Sequence, residues 1–419
     1  MYLGIVADDF TGGTDIAGFV VQNGLSVTQF IGVPEADFPA PDAAVVSLKS
    51  RSCPAEDAKQ ESLLAMNWLL RQGCSQIFFK YCSTFDSTAK GNIGPVTDAL
   101  MTALDSSITV MAPALPVNGR TVYCGYLFVN GVPLQESGMR HHPVTPMLDA
   151  NLMRLTEAQA EGKAANIPAP VIDAGEHAVR MALEQMQKQG IRYAVPDTLC
   201  DAHLTTLANA VSDLPLVTGG SGLGGAIARI LSEKHGLGGK NTVQAGSPPG
   251  GRSIVFSGSA SVATNLQVAD YAEKAASYRL DIGRCVADAK TYALRVAEWV
   301  VSLPRARYAP MVYATTGPEE LAHVQREFGA EVSGLAVETL FASLAVLLRN
   351  QGVDHFIVAG GETSGAVVKS LGIKAFHIGP QIVPGVPWVR AVDQPVSLAL
   401  KSGNFGEANF FSIAQEFYA

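Results

Sequence analysis

The stretch IVAGGETSG, residues 357–365, combines the end of a strand, a turn and the start of a helix. Residues 356–359, FIVA, form an apolar run typical of a buried parallel strand. Gly360 and Gly361 carry no Cβ, so the backbone can turn sharply and a ligand can approach closely. Residues 362–364 then fit a first helical turn, whose free N–H groups suit a phosphate. A strand-to-helix turn that binds nothing shows the same pattern, so the rest of the chain must decide.

The same pattern of strand, polar turn and helix recurs along the chain. Apolar runs typical of strands occur at residues 2–7, 27–31, 43–48, 77–79, 108–111, 253–256, 311–314 and 396–400. Helical periodicity separates several of them, as at 56–71 and 335–349. This alternation predicts an α/β fold with parallel sheets whose carboxyl edges carry the functional residues.

Length and composition predict two domains. The chain has 419 residues, which exceeds one typical hydrophobic core. Residues 236–252 are rich in Gly, Pro and Ser and lack apolar periodicity, as interdomain linkers do. We therefore expect an N-terminal domain at 1–240, a linker at 241–252 and a C-terminal domain at 253–419. Each domain should contain a mostly parallel sheet flanked by helices, with the active site in the cleft between them.

The overall composition narrows the function classes. The net charge of −8 argues against a nucleic-acid partner, because no basic stripe is present to neutralise phosphates. The 6 cysteines form no CxxC pair, which favours a reducing cytoplasm over a secreted, disulfide-bonded protein. We find no signal peptide and no run of about 18 uninterrupted apolar residues that would span a membrane. The chain is expected to be a cytoplasmic protein without a membrane partner.

Polar residues that follow the N-terminal strands predict a site for a sugar-like acid. The candidate substrate residues are Asp8, Asp9, Thr11, Arg51, Lys80, Ser87 and Lys90, and Asp86 lies in the same loop as the last two. Carboxylates can bind sugar hydroxyls, whereas Arg and Lys can bind a substrate carboxylate. For Asp8 and Asp9 a structural role is an equal alternative, with one capping a turn and the other solvated. Thr14 or Asp15 is expected to cap the first helix.

Three turns of small residues predict a phosphate site in the C-terminal domain. They are SGSAS at 257–261, GGETSG at 360–365 and KSGNFG at 401–406, where Lys401 could add positive charge. If the three turns meet at one sheet edge, their N–H groups and hydroxyls, including that of Ser259, would hold a polyphosphate. The chain contains no GxxxxGK[ST] loop and no kinase HRD or DFG set. A polar site on one domain and a phosphate site on the other suit phosphoryl transfer.

Two other motifs favour different functions less strongly. His141 and His142 are adjacent, so their side chains diverge, and a zinc site would need further ligands. The glycine run at 219–225 loosely resembles a dinucleotide fingerprint but lacks the acidic residue that binds the ribose. A nicotinamide-dependent sugar-acid oxidoreductase and a non-catalytic sugar-acid sensor therefore remain as alternatives.

Long motifs along the whole chain resemble the four-carbon acid sugar kinase family. They are ADDFTGGTDIA (7–17), SLKSRS (47–52), FKYCSTFDSTAKGNIGP (79–95), APALPVNGRTV (112–122), GVPLQESGMRHHP (131–143), VFSGSAS (255–261), VAGGETSG (358–365) and FHIGPQIVPGVPW (376–388). The KYCSTFDST version is most similar to the branch that acts on 3-oxo-tetronates. Where other branches carry a DSTLRGN-like motif, this chain has DSTAKGN, with Lys90 as the basic residue.

The resemblance implies an acid-sugar-binding domain followed by an ATP-binding domain. It implies phosphorylation of the terminal hydroxyl of a 3-dehydrotetronate to the 4-phosphate, with ATP and Mg²⁺; a kinase of threonate or erythronate is the alternative. The nucleotide positions carried over by motif are Ser257, Gly360, Gly361, Glu362, Thr363 and Gly403.

The residues of the N-terminal site suggest a division of roles. We expect Asp86, Asp8 or Asp9 to accept the proton of the attacking hydroxyl, with Asp86 slightly favoured. Arg51 and Lys80 are expected to hold the substrate carboxylate. The D or L series of the substrate, the ligands of Mg²⁺ and a homo-oligomeric state stay open at this point.

Overall fold

The chain divides into two compact units, each with its own sheet. A computed structural model describes residues 1–38, 41–141, 145–237, 246 and 250–418. Unit 1 comprises Met1–Thr242 and unit 2 comprises Val243–Ala419. Most of the linker predicted at 241–252 lies outside the described residues. Each unit is an α/β structure with a mostly parallel sheet, as the fold class predicted.

Unit 1 contains a long parallel sheet and a small antiparallel one. Its strands are β1 (Leu3–Ala7), β2 (Val27–Ile31), β3 (Ala43–Ser47), β4 (Gln76–Lys80), β5 (Thr109–Ala112), β6 (Arg120–Tyr123), β7 (Tyr126–Val129), β8 (Val132–Pro133), β9 (Lys163–Ile167), β10 (Ile191–Pro196) and β11 (Leu216–Gly219). Its helices are α1 (Phe10–Gln22), α2 (Ala55–Arg71), α3 (Ile93–Ala103), α4 (Leu152–Glu157), α5 (Ala169–Asp173), α6 (Glu176–Lys188), α7 (Asp201–Ala210) and α8 (Ser221–His235).

The register of the long sheet aligns the ends of its central strands. The strand order is β2-β3-β1-β4-β11-β5-β10-β9, and β6-β7-β8 form the small sheet. At the end of β1, Ala7 pairs with Ser47 of β3 and with Lys80 of β4. Gly219 of β11 pairs with Lys80 and with Ala112 of β5. The loops after five strands therefore leave one edge of the sheet together, where parallel α/β sheets place ligands.

Unit 2 has a parallel sheet with an antiparallel extension. Its strands are β12 (Arg252–Ser257), β13 (Ser277–Arg279), β14 (Met311–Tyr313), β15 (Val353–Ala359), β16 (Ala375–Val383), β17 (Val386–Ala391) and β18 (Ser397–Lys401). Its helices are α9 (Val262–Ala272), α10 (Ile282–Ser302), α11 (Pro318–Phe328), α12 (Ala330–Asn350), α13 (Gly361–Ser370) and α14 (Phe410–Glu416). The strand order is β13-β14-β12-β15-β18-β17-β16, with β17 antiparallel to both of its neighbours.

The sheet of unit 2 also aligns the ends of its strands. Ser257 of β12 pairs with Ala359 of β15, and Ala359 pairs with Lys401 of β18. Three buried aromatic rings pack on this part of the sheet, with Phe256 at 5.1 Å from Phe341 and 5.9 Å from Phe356 between ring centroids. The three turns of small residues thus begin side by side, at the aligned ends of β12, β15 and β18.

Two helices, α1 and α12, have features that bear on the predictions from the sequence. The first helix begins at Phe10, and its N-cap is Asp9, whose side chain accepts a hydrogen bond from Gly12 N; the expected cap at Thr14 or Asp15 is wrong. In the described part of the chain, α12 alone is long and apolar enough to cross a membrane by length and composition. Its Leu340, Leu344 and Leu348 are buried in unit 2, as in a core helix.

Candidate active site

The three small-residue turns of unit 2 contact one another. Gly258 N donates to Ala359 O, and Gly360 N donates to Lys401 O, each at 2.9 Å. Ser261 Oγ donates to Gly403 O at 2.6 Å, which ties the first turn to the third. We call the described residues 257–261, 360–365 and 401–406 the turn cluster.

The second turn leaves the N-terminus of α13 open. Gly360 has a φ of 121°, a left-handed conformation that L side chains rarely adopt. It is the N-cap of α13 and supplies no side-chain hydrogen bond to the first turn of the helix. A Cβ added to Gly361 would meet nothing within 4 Å. The free N–H groups and the positive end of α13 therefore face accessible space, where an anion is stabilised.

A cavity of about 230 Å³ adjoins the turn cluster. Gly258, Ala260, Glu362 and Thr363 of the turn cluster line it. The rest of the lining is Ile282, Ala314, Thr316, Leu321, Val324, Gln325, Ala330, Ser333, Gly334, Val337 and Glu338. An apolar cavity beside a phosphate-binding turn suits a flat, weakly polar group attached to a phosphate chain.

No sequence pattern predicted the residues of this lining. Leu321 and Val324 belong to the amphipathic helix α11, in which no residue is fully buried. Amphipathic periodicity marks an apolar face but does not distinguish a core contact from a ligand contact. One feature of the sequence could have indicated this cavity. Ser333 and Gly334 at the start of α12 are both small, so they leave room beside the helix.

The remaining predicted nucleotide positions differ in their exposure. Ser257 is buried and its hydroxyl is 2.6 Å from Thr315 Oγ1, so its side chain supports the turn from within. Ser259 Oγ would lie 2.3 Å from a Cβ on Gly403, so the first and third turns touch there. A Cβ at position 403 would force the side chains of Ser259 and Ser261 to shift.

Lys401 does not add charge to the cavity, contrary to the expectation. Its side chain is buried, and Nζ donates to Thr264 Oγ1 at 3.0 Å and to Ser402 O and Gly403 O at 3.1 Å. Burial lowers the pKa of this ammonium to about 7. Lys401 instead binds the backbone of the third turn.

In unit 1, Arg51 joins the two N-terminal carboxylates. Its Nε and Nη2 donate to Asp8 Oδ2 and Oδ1, both at 2.9 Å, and Nη2 also lies 2.9 Å from Asp9 Oδ1. Thr11 Oγ1 donates to Asp9 Oδ2 at 3.0 Å. Burial raises the pKa of Asp8, and Arg51 opposes that shift. Two carboxylates against one guanidinium leave this group net negative.

Lys80 lies below the first turn of α1. Its Nζ donates to Tyr81 O at 2.9 Å and lies 4.0 Å from Asp15 Oδ2. Ser221, the first residue of α8, donates a short hydrogen bond to the same carboxylate oxygen of Asp15. Burial raises the pKa of Asp15, against the opposing charge of Lys80. From the sequence, Asp15 was expected only to cap a helix and Ser221 had no assigned role, yet the two bond to each other next to the predicted site residue Lys80.

Asp86 is presented by a strained and anchored backbone. The preceding Phe85 has a φ of 50°, which is rare for an aromatic residue, and its ring is buried against Tyr81 at 5.6 Å between centroids. Asp86 Oδ1 accepts from Thr84 Oγ1 at 2.6 Å. Oδ2 has no hydrogen-bond partner in the described chain. Asp86 therefore keeps one carboxylate oxygen available for a ligand.

The charges of Asp86 and of two cationic residues act on the thiol of Cys82. Burial raises the pKa of its thiol to about 12, with a further rise from Asp86 and opposing effects from Arg51 and Lys80. Those three charges therefore surround one side chain. The thiol is 2.9 Å from Thr84 Oγ1 and stays protonated at neutral pH.

Ser87 and Lys90 lie farther along the same loop. Ser87 is buried and donates to Gln159 Oε1 at 2.7 Å. Lys90 is exposed, and its backbone N donates to Thr88 Oγ1. Asn92, which follows them, donates to Ser50 O at 2.7 Å and Cys53 O at 2.8 Å and so fixes the loop that carries Arg51.

The glycine run after β11 has a packing role. A Cβ on Gly219 would lie 2.3 Å from Ala112 O, and one on Gly220 would lie 2.5 Å from Pro113 O. In α8, a Cβ on Gly224 would lie 2.5 Å from Ile16 Cδ1 of α1. These glycines allow close contact within unit 1, so the run gives no support to a dinucleotide site.

Among the described residues, no group of three or more His, Cys, Asp or Glu side chains could hold a metal ion. His142 and the side chain of His141 lie outside the described part of the chain.

Comparisons with known proteins agree with this division. A family model for a sugar-binding N-terminal domain matches residues 3–227, and one for a nucleotide-binding C-terminal domain matches residues 254–411. The 3-oxo-tetronate kinase of Brucella melitensis is 55% identical over 99% of this chain and 95% of its own length. The 3-oxo-tetronate kinase of Pectobacterium atrosepticum is 55% identical over 100% of this chain and 99% of its own length.

A solved structure extends the similarity to the fold. A crystal structure from Salmonella typhimurium LT2, provisionally described as a tRNA synthase, has 53% identity, a TM-score of 0.94 and full coverage of both chains. Family models match most of the chain, and relatives more than half identical cover nearly all of it. The chain therefore belongs to the four-carbon acid sugar kinase family.

Proposed function

We propose that this protein is a 3-oxo-tetronate kinase that transfers the γ-phosphoryl group of ATP to the terminal hydroxyl of a 3-dehydrotetronate. The product is the 4-phosphate, formed in the cytoplasm during carbohydrate catabolism. The turn cluster of unit 2 carries the proposal, because three glycine turns and an open helix N-terminus form a polyphosphate site. The names of the relatives support the choice of acceptor.

Unit 2 would bind ATP along the axis from its cavity to α13. The adenine would enter the apolar part between Ile282, Leu321 and Val337. The phosphates would lie over Gly361 and Thr363 at the N-terminus of α13, with Gly403 and Ser259 alongside. Gly360 shapes this turn, and Ser257 supports it through Thr315.

Unit 1 would bind the sugar acid. Lys80 and Arg51 supply positive charge for the carboxylate, and Asp8, Asp9 and Thr11 supply oxygen atoms near sugar hydroxyls. Lys90, which is exposed in the loop after β4, would add positive charge, whereas the buried Ser87 would hold that loop through its hydrogen bond to Gln159. Because Asp8 and Asp9 make the surroundings of Arg51 net negative, Arg51 alone attracts the substrate carboxylate only weakly.

Asp86 is the favoured general base. Both oxygens of Asp8 accept from Arg51, and those of Asp9 accept from Thr11 and Gly12. Asp86 alone of the three retains an oxygen without a described partner, so it can accept the hydroxyl proton. The hydroxyl oxygen then bonds to the γ-phosphorus, and the bond from that phosphorus to the β,γ-bridging oxygen breaks with ADP leaving.

Mg²⁺ would arrive bound to ATP. This ion binds proteins through one or two carboxylates plus substrate phosphates, so it needs no preformed cage of protein ligands. Glu362, exposed in the first turn of α13 and lining the cavity, is the carboxylate that fits this role. When bound, the ion neutralises charge that develops on the phosphates.

An ADP-release assay over a panel of four-carbon acids tests the proposal. The 3-oxo acids should give the largest kcat/KM, and the kcat/KM values of the D and L forms should differ. Higher kcat/KM for threonate or erythronate would replace the acceptor, and absence of ADP release with every acid would contradict the proposed function. A parallel measurement of absorbance at 340 nm with NAD⁺ tests the oxidoreductase alternative. A sensor would bind an acid without turnover.

A further inference from the structure

A second set of charged groups lies at the same sheet edge of unit 1 as Lys80. It consists of Asp15, Lys80, Arg120 and Ser221, which we call the Asp15 cluster. Lys80 ends β4, Arg120 begins β6 after the loop that follows β5, and Ser221 begins α8 after β11. These strands are neighbours in the sheet, so the loops converge.

The Asp15 cluster holds hydrogen-bonding groups that the described chain does not satisfy. Asp15 Oδ2 accepts from Ser221 and lies 4.0 Å from Lys80 Nζ, but Oδ1 is buried without a described partner. The Nε of Arg120 is also buried without one, while its Nη1 donates to Asn118 O. Buried polar atoms in native proteins are nearly always hydrogen-bonded, so an unpaired acceptor and an unpaired donor need a partner.

The charge of Arg120 acts on the same carboxyl group. Arg120 lowers the pKa of Asp15, as Lys80 does more strongly, although burial raises that pKa overall. The two unpaired groups therefore belong to one local environment. A ligand with both a hydrogen-bond acceptor and a hydrogen-bond donor could satisfy the two groups.

Arg51 cannot provide this recognition alone. Its Nε and Nη2 are directed at Asp8 and Asp9, which leaves only Nη1 for a ligand. A bidentate contact with a carboxylate normally uses two N–H groups of one guanidinium fork. Arg120 retains its unpaired Nε for such a contact.

We propose that Arg120 and Asp15 form a specificity subsite for the acid end of the substrate. Arg120 donates to the carboxylate with Lys80, and Asp15 Oδ1 accepts from the adjacent hydroxyl. This assignment rests on the proposed function for the identity of the ligand. It predicts that the enzyme distinguishes an acid from its neutral counterpart mainly through Arg120.

The test measures binding of two unreactive ligands to the full-length protein by calorimetry. One is a four-carbon 2-hydroxy-3-oxo acid without the terminal hydroxyl, and the other is its neutral amide. In Arg120→Gln the acid should bind about 10- to 100-fold more weakly, while the amide changes by less than about threefold. Arg120→Lys should recover part of the preference, and Asp15→Asn should weaken both ligands.

Arg192→Gln is the matched control, because Arg192 is a partly buried arginine of unit 1 paired with Asp98 at 3.5 Å. It should leave the preference for the acid unchanged. Equal weakening of acid and amide in Arg120→Gln, or unchanged binding of both, would overturn the subsite. Wild-type protein that binds the acid but releases no ADP with any four-carbon acid would contradict the proposed function and not this subsite.

Discussion

Gly258 and Thr363 are in such close contact that a Cβ on Gly258 would lie 2.1 Å from Thr363 Oγ1. The first turn of unit 2 therefore rests directly on the first turn of α13. Even one added methyl group on Gly258 would force the Thr363 side chain to shift. The position of the helix N-terminus is thus set by contact with another strand's loop.

Gly361→Val should abolish ATP binding while the protein stays folded. A Cβ on Gly361 meets no neighbouring group within 4 Å, so the valine side chain would project into the space where we place the phosphates. Calorimetric titration with ATP measures the loss. Gly138→Val is the control, since Gly138 has equally open surroundings but lies in unit 1, outside the turn cluster. Equal ATP affinity in both folded variants would remove this turn from the site.

Asp86→Asn should lower kcat by about 10²- to 10⁴-fold, because the amide cannot accept the hydroxyl proton. The KM values for ATP and for the sugar acid should change little, since Asn keeps the size of the side chain. Steady-state kinetics of ADP release measure both effects. A kcat within about threefold of wild type would assign the base to Asp8 or Asp9.

Arg51→Ala should both weaken sugar-acid binding and destabilise unit 1. Loss of the guanidinium leaves the buried Asp8 carboxylate without its partner, which costs about 1–3 kcal/mol in the free energy of unfolding. The KM for the acid should rise more than the KM for ATP. Thermal unfolding and kinetics are measured together, and adding Asp8→Asn should restore part of the stability. An equal rise of both KM values would place Arg51 outside the acid site.

The buried Lys401 predicts a rise in stability with pH. Its pKa is lowered from 10.5 to about 7 by burial, so above pH 7 the unfolded chain binds this proton and the folded chain does not. The free energy of unfolding should therefore increase between pH 7 and 10.5, whereas below pH 7 the folded chain carries the full cost of the buried charge.

Calorimetric Tm values at pH 6.5 and 8.5 check this effect in wild type and Lys401→Met. The rise in Tm should be smaller in the variant. Lys369→Met, at an exposed position in α13, is the control and should follow wild type. The same slope in all three proteins would show that Lys401 is not the group responsible.

Sequence patterns predicted the elements that face the core better than those that face a ligand. The runs at 2–7, 77–79 and 253–256 form β1, β4 and β12, because continuous apolar sequence permits few other structures. The three turns of unit 2 were expected to meet, and they do, because the ends of parallel strands share one edge.

Other site features depend on contacts that no local pattern encodes. Whether Leu321 of α11 faces a core or a cavity depends on helices far away in the sequence. Lys401 was expected to add charge to the phosphate site, but tertiary structure buries its side chain, where Nζ donates to two carbonyl oxygens. Arg120 belongs to the motif APALPVNGRTV, but the motif does not show that its Nε is buried without a partner, as Oδ1 of Asp15 is.

The glycines of this chain suggest a rule for motif annotation. Gly220 and Gly361 both follow a strand and stand at the start of a helix, so a pattern search treats them alike. A methyl group on Gly220 would collide with the carbonyl of Pro113, whereas one on Gly361 would enter open space. The contacts that an added Cβ would make therefore distinguish glycines needed for close packing within the protein from glycines that leave space for a ligand. The same test can be applied to any glycine-rich loop before a cofactor is assigned.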